Sequence, residues 1–210
     1  MRKVFISYHH KNDQSYKNHL SEFGVSSGCF LDGSVCVGDI PDDDRSSEAI
    51  RRVIRDEYLQ DSEVTILLCG SETCGRKHID WELKSSMIDG ERNSRSGVLV
   101  VNLPEAKANG WTVGSEAEKE AIYPDHLTGW RPIRTESEYR RLYPRMPARI
   151  IDNLLKPEAV ISVVPWDRIR DNPQALHWLV EKTAEIGSQN EYDLRRRMLR
   201  KNLPCDSSDR

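Results

Sequence analysis

Lys3-Val4-Phe5-Ile6-Ser7-Tyr8-His9-His10-Lys11-Asn12-Asp13 is the stretch that decides the fold. It opens as a short apolar strand and ends abruptly in hydroxyl, aromatic and imidazole side chains. In a parallel α/β sheet, ligands bind outside the carboxyl ends of the strands. A strand that turns polar at that end marks candidate ligand groups, here Ser7, Tyr8 and His9.

The rest of the chain repeats the strand-then-helix rhythm. Asn12 or Asp13 is placed to cap a helix running to about Phe23, with Tyr16 and Leu20 one turn apart. Residues 29–32 form a short strand candidate. Residues 33–44, rich in Gly, Asp and Pro, are expected as an exposed loop. Ser46 or Ser47 then caps a helix whose Ile50, Val53, Ile54 and Tyr58 form one apolar face. Residues 64–69 are apolar throughout, as in a central parallel strand covered on both sides. A helix over 78–88 buries Ile79, Leu83 and Met87. Residues 98–103 and 160–164 give two later strands. Asn172-Pro173 opens a last helix with Leu176, Leu179, Val180 and Thr183 on one face. Alternation of this kind predicts a doubly wound, mostly parallel sheet with helices on both faces.

The charges nearly cancel, at a formal net of −3. A general nucleic-acid binder needs a basic surplus, so that class is set aside. The basic cluster Arg195, Arg196, Arg197, Arg200 and Lys201 reads as a solvated face or tail. No apolar run approaches the roughly 18 residues that span a bilayer. Near Met1 the apolar stretch is only residues 4–6, too short for a signal-peptide core. Five cysteines without a CxxC pair are read as neither a disulfide framework nor a zinc site. Cys29, Cys36 and Cys69 are expected to pack as small hydrophobes, in a reducing cytoplasm.

Several chemistries are excluded by motif. No Gly-x-Gly-x-x-Gly follows the first strand. Gly70 to Lys77 resembles a P-loop only until His78 stands where a magnesium-binding hydroxyl belongs. An acidic pair after strand one, as phosphoacceptor domains need, is replaced by Ser7-Tyr8. No nucleophile elbow is present. His9-His10, His78 and His126 do not make a metal spacing, so no metal is expected.

The first stretch, with the helix segment His78-Ile79-Asp80-Trp81-Glu82-Leu83-Lys84-Ser85, resembles the TIR superfamily. It is closest to the TIR-like branch of bacterial antiphage systems such as Thoeris. One departure is that His9 and His10 intervene before Asp13. The resemblance covers about 3–103, and 160–186 also looks like this branch. It implies a flavodoxin-like TIR-like domain over 1–187. Within it, 104–145 is a long connection and 146–187 the closing strand and helix. A polar basic tail, 188–210, follows, and its residues beyond about Asn202 are expected to be mobile.

The resemblance also implies a function. Glu82 would be catalytic, cleaving the nicotinamide–ribose bond of NAD, which serves as substrate and not as cofactor. Ser7, Tyr8, His9, Trp81 and Asp39 would contact substrate. The product would be an ADP-ribose-derived signalling nucleotide read by a separate effector, with self-association or partner subunits. The chemistry asks little of the protein. Nicotinamide leaves neutral, so one carboxylate that stabilises an oxocarbenium-like ribose is sufficient. From spacing alone, Glu82 sits at the border of the apolar helix face, and an ordinary surface glutamate paired with Lys84 or Arg76 is the alternative. Tyr8 either stacks on a base or packs in the core. Trp81 either lines the pocket or packs against a partner subunit. The competing function is a non-enzymatic assembly module or a nucleotide sensor. Whether Tyr8 and Glu82 share one pocket discriminates between them.

Overall fold

The computed structural model describes residues 1–34, 49, 53–90 and 94–205, those at 57 and 58 by backbone alone. Five strands form one parallel sheet: β1 Lys3–Ser7, β2 Leu31–Asp32, β3 Val64–Cys69, β4 Gly97–Asn102 and β5 Ser162–Pro165. Their order is β2-β1-β3-β4-β5 and every pairing is parallel. This is the flavodoxin-like order, whose direction of winding reverses between β1 and β3. The register sets Ser7 beside Leu67 and Cys69 beside Asn102, so the carboxyl ends lie level.

Six α-helices are described: α1 His10–Ser26, α2 Lys77–Ser86, α3 Glu116–Ile122, α4 Glu136–Leu142, α5 Ala148–Leu154 and α6 Pro173–Gly187. The strand period of two divides the core into two layers. Val4, Ile6, Val64, Ile66, Leu68, Leu99, Val101 and Val164 face α1 and α6, where Leu20, Leu176, Leu179 and Val180 meet them. Leu67, Cys69, Val98, Val100 and Val163 face α2 and α5, against Ile79, Leu83, Ile150 and Ile151. Full burial of β3 and β4 on both faces is what their largely apolar sequence demands. Helix α6 and β4 approach closely at Gly97 and Gly187, where a Cβ on Gly187 would fall 2.5 Å from the Gly97 nitrogen.

The last helix starts as its sequence dictates. Asn172 Oδ1 accepts from the Ala175 N–H at 3.0 Å, and Pro173 takes the first turn. The first helix does not. It begins at His10, with His9 at the cap position and no side-chain cap bond. Asn12 and Asp13 lie inside the first turn. Asp13 is buried against Gly70, where a Cβ would meet its carboxylate at 2.4 Å. The expected helix after Ser46 lies mostly outside the described residues. Its described end is a π-turn, Ile54–Tyr58, with Ile54 buried beside Phe5 and Trp81.

The 104–145 connection is packed and contains two capped helices. Ser115 caps α3 and Thr135 caps α4, each accepting from the N–H of a Glu three residues on. Just before α3, Thr112 pairs antiparallel with Val163 on β5: the Thr112 N–H donates to Val163 O at 3.0 Å, and the Val163 N–H to Thr112 O at 2.7 Å. No described helix is long and apolar enough to cross a membrane.

The C-terminal segment differs most from expectation. Residues up to Cys205 run along α2 instead of extending into solvent. The Leu203 N–H donates to Gly75 O at 2.8 Å, so the chain past Asn202 is docked at least that far. A disulfide joins Cys74 to Cys205, a cross-link that the expectation of no disulfide framework did not include. Cys29 and Cys69 are free and buried, while Cys36 lies outside the described residues.

Candidate functional site

At the carboxyl end of β1, beside the β1/β3 reversal, the Ser7 hydroxyl donates to Glu82 Oε2 at 2.5 Å. Strand alternation brings them together: Phe5 and Ser7 face α2, and Glu82 lies on the inner side of α2 with Ile79 and Leu83. Glu82 is only 6% exposed. Its position is therefore deeper than the border of the face, and neither Lys84 nor Arg76 is its hydrogen-bond partner. Arg76 pairs with Glu72, and Lys84 reaches the Arg196 carbonyl.

Two further bonds fix the turn that carries Glu82. Ser86 Oγ donates to the Glu82 carbonyl at 2.9 Å and lies 2.7 Å from Thr65 Oγ1 on β3. Helix and sheet are thus tied by hydroxyls directly beneath the carboxylate. Burial pushes the Glu82 carboxyl up to about 7, and the Ser7 bond pulls it down again in part. The group is poised near neutrality, where a modest change of surroundings changes its charge.

His9 follows at the same strand end. Burial, then the charge of Arg76, lowers its imidazole to about 4, so it is neutral at pH 7. Its Nδ1 is buried without a hydrogen-bond partner. Asp13 is pushed up to about 6 by burial, and one of its oxygens is also without a partner. Asn102, at the carboxyl end of β4, is buried with both side-chain polar atoms unpartnered. Buried polar atoms of this kind normally have partners. These strand ends therefore carry hydrogen-bonding capacity that a bound ligand could use.

The sequence-derived residues separate into groups. Ser7 and Glu82 touch. Tyr8 points to the other face of the sheet, in the core with Val4 and Ile6, its hydroxyl donating to Gln14 Oε1 at 2.9 Å. Its ring meets His10 edge-on. Tyr8 and Glu82 therefore do not share a face. Trp81 is buried with Phe5, Ile54 and Leu59, and its indole N–H donates to the Leu199 carbonyl at 2.7 Å. What covers it is this chain's own C-terminal segment. Asp39, with most of the 33–44 loop, lies outside the described residues. From sequence Asp13 is read as a cap candidate and not as a site residue, and Asn102 and Thr65 are not singled out. A polar residue closing an apolar parallel strand was the available signal for Asn102. Among the described residues, no group of three or more His, Cys, Asp or Glu is placed to hold a metal ion.

Residues 5–108 match the family described as Thoeris protein ThsB, TIR-like domain. Over that segment the chain belongs to the ThsB TIR-like family. The match contains Ser7, Glu82, strands β2, β3 and β4, and β1 from Phe5 onward, and it connects the chain to antiphage defence. The C-terminal segment on α2 falls outside the match. No individual curated protein matches the chain.

Proposed function

We propose that this TIR-like domain cleaves the bond between nicotinamide and ribose in NAD, with Glu82 as the reacting-centre carboxylate. The observation that carries the reading is the buried Ser7–Glu82 pair at the carboxyl end of β1. Breaking the C1′–N bond sends its electron pair to the nicotinamide ring, which leaves neutral. Positive charge then develops on the ribose. A Glu82 carboxylate in a low-dielectric setting would stabilise that charge strongly and could hold a ribose hydroxyl. Capture by water gives ADP-ribose and one proton. Capture by a nucleophile of the same molecule gives a cyclic product, the class suited to signalling a separate effector.

The test is incubation of the protein with NAD and phage lysate, with products resolved by mass spectrometry. Glu82→Gln should cut turnover by roughly 10²–10³-fold, the scale for losing one preorganised electrostatic group. Circular dichroism serves as the folding control. Equal NAD consumption by the folded variant sinks the assignment.

One observation favours the second reading, a module that only assembles. Tyr8 is committed to the opposite core, so no aromatic platform from the strand end faces Glu82. If neither wild type nor variant consumes NAD with lysate present, the assembly reading is preferred. Self-association by light scattering is then its positive test.

A further inference from the structure

We propose that residues 190–205 form a brace that positions the Glu82 helix, and that the Cys74–Cys205 bridge makes the brace sensitive to reduction. The catalytic consequence rests on the reading of Glu82 given above; the mechanical one does not.

Helix α2 is held on two sides. Its inner side carries Glu82 against Ser7. Away from it the helix carries Asp80, Lys84 and the indole N–H of Trp81, whose ring packs on Phe5, Ile54 and Leu59. Asp80, Lys84 and the indole N–H meet the C-terminal segment. Asp80 Oδ1 accepts from Arg149 Nε at 2.9 Å, and Asp80 Oδ2 from the Leu199 N–H at 2.8 Å. Arg149 is fully buried and also donates to the carbonyls of Arg196 and Arg197. Trp81 donates to Leu199 O. At the start of the helix, where backbone N–H groups point out of the first turn, the Lys77 N–H donates to Asn202 Oδ1 at 3.0 Å. The brace thus touches α2 from its first turn to its last.

Asp80 and Arg149 are accordingly positioning residues. A buried arginine left without its carboxylate, or the reverse, is strongly unfavourable. The pair therefore stays closed only while α2, α5 and the brace keep one arrangement. That arrangement fixes the helix rotation that places Glu82 2.5 Å from Ser7.

The bridge anchors the far end. Cys74 sits in the turn entering α2, and Cys205 is the last described residue, 131 positions away, with Cα atoms 5.6 Å apart. Reduction would transfer two electrons and two protons from a dithiol to the bridge. Two protein thiols result, and the dithiol closes to its own cyclic disulfide. The brace end would then keep its Asn202 and Leu203 hydrogen bonds but lose its covalent tie.

The experiment uses the full chain in three forms: air-oxidised, reduced with a dithiol, and Cys205→Ser. Gly75→Ala is added because a Cβ there would lie 1.8 Å from the Leu203 carbonyl oxygen, expelling the brace without touching either cysteine. Amide hydrogen exchange is read over α2, with β4 as internal control. Exchange in α2 should rise about tenfold or more in the reduced and variant forms, as expected when a cooperative local contact is released. The β4 amides should not change. The Glu82 side-chain titration midpoint, followed by ¹³C NMR, should shift in the same forms. Where NAD is consumed, kcat should fall more than KM rises.

Unchanged α2 exchange in all forms overturns the brace. Faster exchange in Gly75→Ala alone keeps the brace and overturns its redox control, as does alkylation of Cys74 and Cys205 in oxidised protein. If Gly75→Ala also loosens β4, Cys205→Ser decides. Faster α2 exchange in a protein that never consumes NAD leaves the brace standing and sinks the proposed function alone.

Discussion

Glu82 and Glu118 are both buried carboxylates, and each binds a serine hydroxyl on a strand of the same sheet. They differ in place and in partners. Glu118 accepts from Ser162 Oγ at 2.6 Å and from the Gly114 N–H at 2.8 Å. It is also the third residue of a capped helix, where an acid reaching back to the backbone closes the helix start. Ser162 begins β5, the amino end of the strand. Glu82 has one side-chain partner, caps nothing, and stands where β1 ends. Burial raises both acids. The comparison teaches that a raised carboxyl and a serine partner do not by themselves single out a site. What sets Glu82 apart is its position at the carboxyl ends of the strands, where ligands bind in sheets of this kind.

Turnover should separate the two most sharply. Against the roughly 10²–10³-fold loss expected for Glu82→Gln, Glu118→Gln should leave NAD consumption within a factor of about two. Its amide carbonyl can still accept both hydrogen bonds, and it lies away from the reacting centre. Equal losses in the two variants would erase the distinction.

Stability against pH gives the next contrast. The folded carboxyl of Glu82 lies near 7 and its unfolded value near 4.5. Between those values the folded chain keeps a proton that the unfolded chain releases. This contribution is full below pH 4.5 and is lost as pH rises through 7. Glu82→Gln cannot titrate. Urea unfolding at pH 8 should show it more stable than wild type by up to about 3 kcal/mol, with the difference gone at pH 4. Parallel curves for the two proteins would mean that Glu82 titrates normally.

The serines sharpen the comparison at smaller amplitude. Ser7→Ala removes the bond that lowers the Glu82 carboxyl, so the acid limb of the pH–rate profile should move upward. Ser162→Ala leaves Glu118 the Gly114 N–H and should cost about 1 kcal/mol of stability, with the profile unmoved. A shift in both profiles would couple the two sites.

Much of the sheet was legible in the sequence because two-sided burial writes itself as largely apolar runs, as in β3 and β4. The Glu82 helix was legible from Ile79 and Leu83, and the last helix from Asn172-Pro173. Helix α1 was misjudged at its start because Asp13, a good capping residue by type, is instead buried against Gly70. The capped helices in 104–145 were missed although Ser115 and Thr135 each precede a Glu by three positions. The docked C-terminal segment was not readable. It binds largely through the backbone of Arg196, Arg197, Leu199 and Leu203, and backbone groups leave no pattern in a sequence. Its key side-chain partner, Arg149, lies 69 residues from Asp80.

The short bridge from Thr112 to Val163 has an architectural consequence. It occupies the outward backbone groups of Val163, so an incoming strand from another molecule finds no open ladder at that point of β5. Pairing of a further strand is therefore blocked at Val163. A copy that meets the molecule over that point does so through side-chain contacts. Such a junction is specific to sequence, and a single surface substitution can dissolve it.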